Sequence, residues 1–177
     1  MAVGVTSKIE ILGKPVVAAI NGDAFGGGLE LAEACALRVA VRHVRLGHPE
    51  VRIGAVAGFG GTTRLPRLIG KGRAAEYLLT GRPMDVEEAL RVGLVNRVVT
   101  EAETLLQETE ALVHEILARA PVAVRLTWEA LHCGLGLSEE ESALLGADYF
   151  GLVASTEDFR EGTRAFLEKT DPSFRGR

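Results

Sequence analysis

Two cysteines, Cys35 and Cys133, are all that the 177 residues contain, too few and too far apart for a disulfide framework. Neither has a second cysteine or a histidine at zinc-ligand spacing, so no metal site is expected. Both read as buried apolar residues in a reducing compartment, which places the protein in the cytoplasm. No apolar run approaches the roughly 20 residues that span a bilayer. The N-terminus also lacks a basic stretch followed by an apolar signal core. Excess positive charge is missing too: a net charge of -4 and a pI near 5.6 give no reason to expect nucleic acid or an anionic membrane as the main partner. There is no low-complexity tract and no fixed repeat. With 47% hydrophobic and 25% charged residues, the composition is that of an ordinary globular chain long enough for one core.

What is abundant is glycine, 21 residues in all, with clusters at 22–28, 54–61 and 70–72. The first cluster follows Val16–Ile20, an unbroken apolar run that reads as a short strand buried on both faces. Good helix formers continue from Leu29 to Ala36. The glycines therefore occupy a strand-to-helix turn, where the backbone can take positive φ and a ligand can approach the main chain. A helix beginning there leaves its first N–H groups unpaired beside the positive end of its dipole, a setting for developing negative charge. Glu30 lies three residues after Gly27, on the same side. It could do acid/base work beside an anion held by the Gly27 N–H, or merely complement the dipole.

Along the rest of the chain, residues 1–13 suggest a short helix and Arg38–Arg42 a second strand. Gly58-Phe59-Gly60-Gly61 opens a helix over Gly60–Ile69, and another spans Arg73–Leu79. Asp85 can cap a helix that Gly93 ends, and Leu94–Val99 reads as a strand. From Glu101 onward the pattern is helical, with a new helix at Pro121, a capping box at Ser138 to Glu141, and a cap at Ser155 to Asp158 for a last helix ending near Lys169. No stretch reads as a flexible linker.

Several sites of other kinds are poorly matched. A P-loop would need glycine at Leu65 and a hydroxyl at Gly72. Gly26-x-Gly28-x-x-Leu31 lacks the third glycine of a dinucleotide fingerprint. No Gly-x-Ser-x-Gly elbow is present. The histidines, His48 in His48-Pro49-Glu50 among them, read as surface or core residues. The remaining constellation is Gly27 and Glu30 with Glu50 and Gly58: two carboxylates on two glycine-framed turns, able to divide acid and base work.

Taken together, Lys14-Pro15-Val16-Val17-Ala18-Ala19-Ile20-Asn21-Gly22, Gly26-Gly27-Gly28-Leu29-Glu30-Leu31, His48-Pro49-Glu50 and Gly58-Phe59-Gly60-Gly61-Thr62 resemble the enoyl-CoA hydratase (crotonase) family. The likeness continues through Leu79-Thr80-Gly81, Ala89 and Gly93-Leu94-Val95-Asn96 to Ala165-Phe166-Leu167-Glu168-Lys169. It implies an α/β fold: a crotonase-like ββα spiral core over residues 1–100, N-terminally shortened, then a helical C-terminal trimerisation region over 101–177 packed as part of one unit. It implies an enoyl-CoA hydratase that adds water syn to 2-enoyl-CoA thioesters, with an enoyl-CoA isomerase, or a truncated non-catalytic paralogue acting as an oligomeric scaffold, as alternatives. By position, Glu30 and Glu50 would be the catalytic glutamates, Gly27 an oxyanion donor and Gly58 a water-positioning amide. Phe166 and Lys169 would reach the acyl-CoA. The resemblance implies no tightly bound cofactor, coenzyme A being part of the substrate, and a homotrimer or hexamer. Ala57 departs from the proline many relatives carry. Relatives also have a section before the equivalent of Lys14 that holds a second oxyanion donor and the loop receiving the adenine.

Overall fold

The computed structural model describes residues 2–177, and the chain divides into two compact units, Met1–Ala111 and Leu112–Arg177. The first is built from short parallel strands alternating with helices, as expected of apolar runs that end in glycine turns.

In the first unit, α1 (Ala2–Glu10) precedes β1 (Val17–Ile20), β2 (Ala24–Phe25), α2 (Gly27–Glu33), β3 (Leu37–Val41) and β4 (Arg45–Gly47). A 3-10 turn (Glu50–Ile53) leads to α3 (Gly61–Ile69), α4 (Lys71–Thr80), β5 (Met84–Asp85), α5 (Val86–Val92) and β6 (Arg97–Val99). One sheet has the order β1-β3-β6, both pairings parallel, with Val17 opposite Leu37 and Val39 opposite Arg97. The other has the order β2-β4-β5, β2 and β4 parallel and β4 and β5 antiparallel. Val39, Ala40, Val41, Leu46 and Ala89 are fully buried at its core. Three two- or three-residue strands, β2, β4 and β5, carry no periodic signal in the sequence, because so short a run cannot display alternation.

The turn chemistry matches expectation at several ends. The Asp85 carboxylate accepts from the Glu88 amide at 2.8 Å. Gly93 closes α5 in the left-handed region at φ 85°.

After a second 3-10 turn (Ala102–Thr104), α6 (Leu105–Leu117) runs from the first unit into the second. There follow α7 (Pro121–Gly134), α8 (Glu139–Ala154) and α9 (Glu157–Glu168). Pro121 occupies the first turn of α7. The Ser138–Glu141 capping box is formed in both directions. The cap of α9 is Thr156 rather than Ser155, its hydroxyl accepting from the Phe159 amide; either hydroxyl satisfies the pattern, and the register selects the second. Cys133 is exposed and Cys35 only half-buried, which corrects the expectation of two buried thiols. Among the described residues no helix is long and apolar enough to cross a membrane, and no group of His, Cys, Asp and Glu could hold a metal ion.

Candidate active site

The glycine turn between β2 and α2 begins at Gly26, which adopts φ 53° and ψ -127°, a backbone conformation open to glycine alone. Its amide donates to the Gly47 carbonyl at 2.9 Å, fixing the turn to the end of β4. A Cβ on Gly26 would lie 2.9 Å from Glu50 Oε1, so the absent side chain makes room for that carboxylate. Gly27 is the first residue of α2 and its amide has no acceptor within the helix. The Phe59 ring lies 3.4 Å from where its Cβ would stand.

Glu30, in the first turn of α2, is 1% exposed. Its Oε1 accepts two backbone hydrogen bonds, from Phe59 at 2.7 Å and from Gly61 at 2.8 Å. The second glycine cluster thus delivers its amides to the first cluster's glutamate. Gly61 must be glycine here, since a Cβ would meet His48 Cε1 at 2.8 Å and Ala57 Cβ at 2.9 Å.

Gly27, Glu30, Glu50 and Gly58 all line one cavity of about 610 Å³. Phe25, Ile53, Val56 and Phe59 give it apolar walls, and each of the four is at least 37% exposed at its mouth. Phe166 and Lys169 belong to the other unit, at the end of α9. Phe166 is 83% exposed, and Lys169 caps the helix with φ 56°.

Two further groups lie beside the cavity: Glu33, absent from the sequence reasoning, and His48, expected only as a surface or core histidine. Glu33, one turn after Glu30 on α2, and His48, just past β4, are both buried. His48 Nε2 and Glu33 Oε1 are 2.8 Å apart, and His48 Nδ1 faces Glu50 Oε2 at 3.9 Å. Burial pulls the imidazole toward its neutral form. The Glu33 hydrogen bond and the surrounding carboxylates of Glu33, Glu50 and Glu30 oppose this and leave the His48 pKa raised. Burial raises the Glu33 carboxyl, with His48 acting against it. Both groups thus hold their protons to higher pH than they would in water. The signal was there in the sequence, Glu33 at helical spacing from Glu30 and His48 two residues before Glu50, but the contact joining them crosses from α2 to β4.

The family model for enoyl-CoA hydratase/isomerase matches residues 4–177. The chain belongs to the enoyl-CoA hydratase/isomerase family. It is 45% identical over 166 residues to the crotonyl-CoA hydratase of Syntrophomonas wolfei, a match covering 94% of this chain and 64% of that protein. With the short-chain-enoyl-CoA hydratase of Clostridium acetobutylicum it shares 42% identity, over 92% of this chain and 62% of the relative. The chain therefore spans less than two thirds of the length of these two relatives. Among solved structures, the enoyl-CoA hydratase from Bacillus anthracis superposes with a TM-score of 0.95 at 39% identity, covering 99% of this chain and 68% of that one. The α/β core and the helical C-terminal region are those of the crotonase fold.

Proposed function

We propose that this chain carries the hydratase chemistry of its family, adding water across the 2,3 double bond of a 2-enoyl-CoA thioester. The observation that carries the reading is the convergence of Glu30, Glu50 and Gly27, the first residue of α2, on one apolar-walled cavity. Two amides orient Glu30 through Oε1, while Oε2 accepts no hydrogen bond from the described residues and can hold water. Glu50 presents its carboxylate across the space that Gly26 leaves open.

In the reaction, water oxygen bonds to C3 as a glutamate accepts its proton. The double-bond electrons move toward the thioester, and the enolate oxygen gathers negative charge beside the Gly27 N–H. A glutamic acid then returns a proton to C2, so that one water has been added. Gly58 lines the same space, where its amide would help place the water, and Phe25, Ile53, Val56 and Phe59 suit an acyl chain. Both carboxylates on one cavity favour hydration over isomerisation, which needs only one of them.

Phe166 and Lys169 are assigned to acyl-CoA contact in an assembled homotrimer or hexamer. Their exposure on α9 leaves both side chains available for that role.

Hydration of crotonyl-CoA, followed by loss of enoyl-thioester absorbance, tests the assignment. Glu30→Gln and Glu50→Gln should each lower kcat by about 10²- to 10⁴-fold, the usual worth of a general acid or base, with a smaller change in KM. Turnover at the parental rate in either variant overturns it.

A further inference from the structure

We propose that Glu33 and His48 form a buried positioning relay for Glu50, in which Glu33 holds the imidazole oriented and protonated so that its Nδ1–H faces the Glu50 carboxylate. The inference rests on the hydratase reading and adds two residues to it. Neither Glu33 nor His48 lines the cavity, so their effect on the reaction passes through Glu50.

The geometry is specific. The side chains of His48 and Glu33 are 1% and 0% exposed, and that of Glu50 is 16% exposed. Nε2 is engaged by Glu33 at 2.8 Å, which leaves Nδ1 as the only other polar atom of the ring. Nδ1 and Glu50 Oε2 are both buried without a hydrogen-bond partner, and they face each other at 3.9 Å. A buried donor and a buried acceptor left opposite each other are costly unless they serve each other. A small rotation of the Glu50 carboxylate closes that gap into a charge-assisted hydrogen bond. The surroundings favour the cation: Glu33 and Glu30 on α2 and Glu50 on the 3-10 turn all act on the ring. Besides His48, Arg38 on β3 is a cation acting on Glu33 itself. The Gly61 position seals the arrangement, because any side chain there would strike the imidazole.

Nuclear magnetic resonance titration of the His48 ring nitrogens in the full chain, paired with the pH profile of crotonyl-CoA hydration, tests the relay. In the parent, the ring should stay protonated above pH 6.5, the ordinary histidine value. Glu33→Gln should move the ring titration to lower pH, because burial is then opposed only by the more distant carboxylates. It should also lower kcat about tenfold with little change in KM, and the kcat profile should follow the shifted ring titration. Glu33→Asp should restore most of the rate. Should Glu33→Gln fail to fold, the paired variant Glu33→Leu/His48→Leu removes both charges together, a replacement that buried ion pairs often tolerate. That protein should fold, keep its KM, and show a reduced kcat without the histidine-dependent limb. A parental kcat and pH profile in a folded variant overturns the relay while leaving the hydratase reading intact. A parent chain that does not hydrate crotonyl-CoA removes the reading instead. In that event the relay stands only if the Glu50 carboxyl carbon resonance shifts as the His48 ring titrates, and falls if it does not.

Discussion

Gly26 shows how much of the site depends on a missing side chain. Its φ of 53° with ψ of -127° is strained for any L-residue, and its Cβ direction ends 2.9 Å from Glu50 Oε1. Gly26→Ala should cost about 1–3 kcal/mol of stability from backbone strain alone. It should also lower kcat at least tenfold by displacing Glu50, which denaturant titration and steady-state kinetics would separate. The titration of Glu33 and His48 gives a second effect at this scale. Both folded pKa values lie above their ordinary ones, 4.5 for the carboxyl and 6.5 for the imidazole. The folded chain thus holds protons that the unfolded chain releases near pH 4.5 from the carboxyl and near pH 6.5 from the imidazole. Each contribution is fully present below its unfolded value and is lost as pH rises through the raised folded one, so the histidine's is lost above pH 6.5. Urea midpoints measured from pH 6 to 9 should fall with pH in the parent, and fall less in Glu33→Leu/His48→Leu.

At the scale of elements, one buried arginine ties α2, β3 and the segment before β6 together. Arg38, in β3, is 2% exposed. Its guanidinium donates to the carbonyls of Cys35 at 2.6 Å, Ala32 at 3.3 Å and Leu94 at 2.6 Å. The first two lie at and just past the C-terminal end of α2, the Ala32 carbonyl also accepting from the Cys35 amide at 3.1 Å, and a cation there complements the helix dipole. The third lies in the segment that leads to β6. Asn96 completes the joint, its Oδ1 accepting from the Arg38 amide at 2.8 Å and its own amide donating to the Arg38 carbonyl at 2.9 Å. Burial lowers the guanidinium pKa, with Glu33 acting against that. Because α2 carries Glu30 and Glu33 at fixed spacing, its far end sets the angle at which both enter the site. Arg38→Met should cost about 3 kcal/mol, since it leaves three carbonyls without their charged donor. It should lower kcat as well, although no atom of Arg38 borders the cavity. An unchanged urea midpoint would contradict this account of the joint.

For the whole molecule, the parts legible in the sequence were those set by local chemistry. The apolar run ending at Ile20, the Asp85 and Ser138 caps and the glycine-opened α3 all appear where propensity and capping put them. The strands β2, β4 and β5 were not legible, because runs of two or three residues show no alternation and only their pairings, Ala24 with Leu46 and Leu46 with Met84, define them. The glutamates were visible as residues, but their common cavity was not, and the amides holding Glu30 come from 29 and 31 positions away. The second unit shows the same limit in another form. Its helix α8 has no buried residue over its whole length, although it carries Leu144, 62% exposed, and Leu152, 56% exposed. Eight residues apart, these two share one face. These exposed apolar side chains are the ones the proposed assembly would cover. If that association is the proposed trimer, sedimentation should give a species near three times 18.9 kDa, or six times for a hexamer. Leu144→Asp/Leu152→Asp should shift the mass toward a single chain while leaving the helical circular dichroism largely intact, because neither side chain is part of a buried core. A parent that sediments as one chain at micromolar concentration removes the assembly, and with it any contribution of Phe166 and Lys169 to a neighbouring subunit's acyl-CoA site.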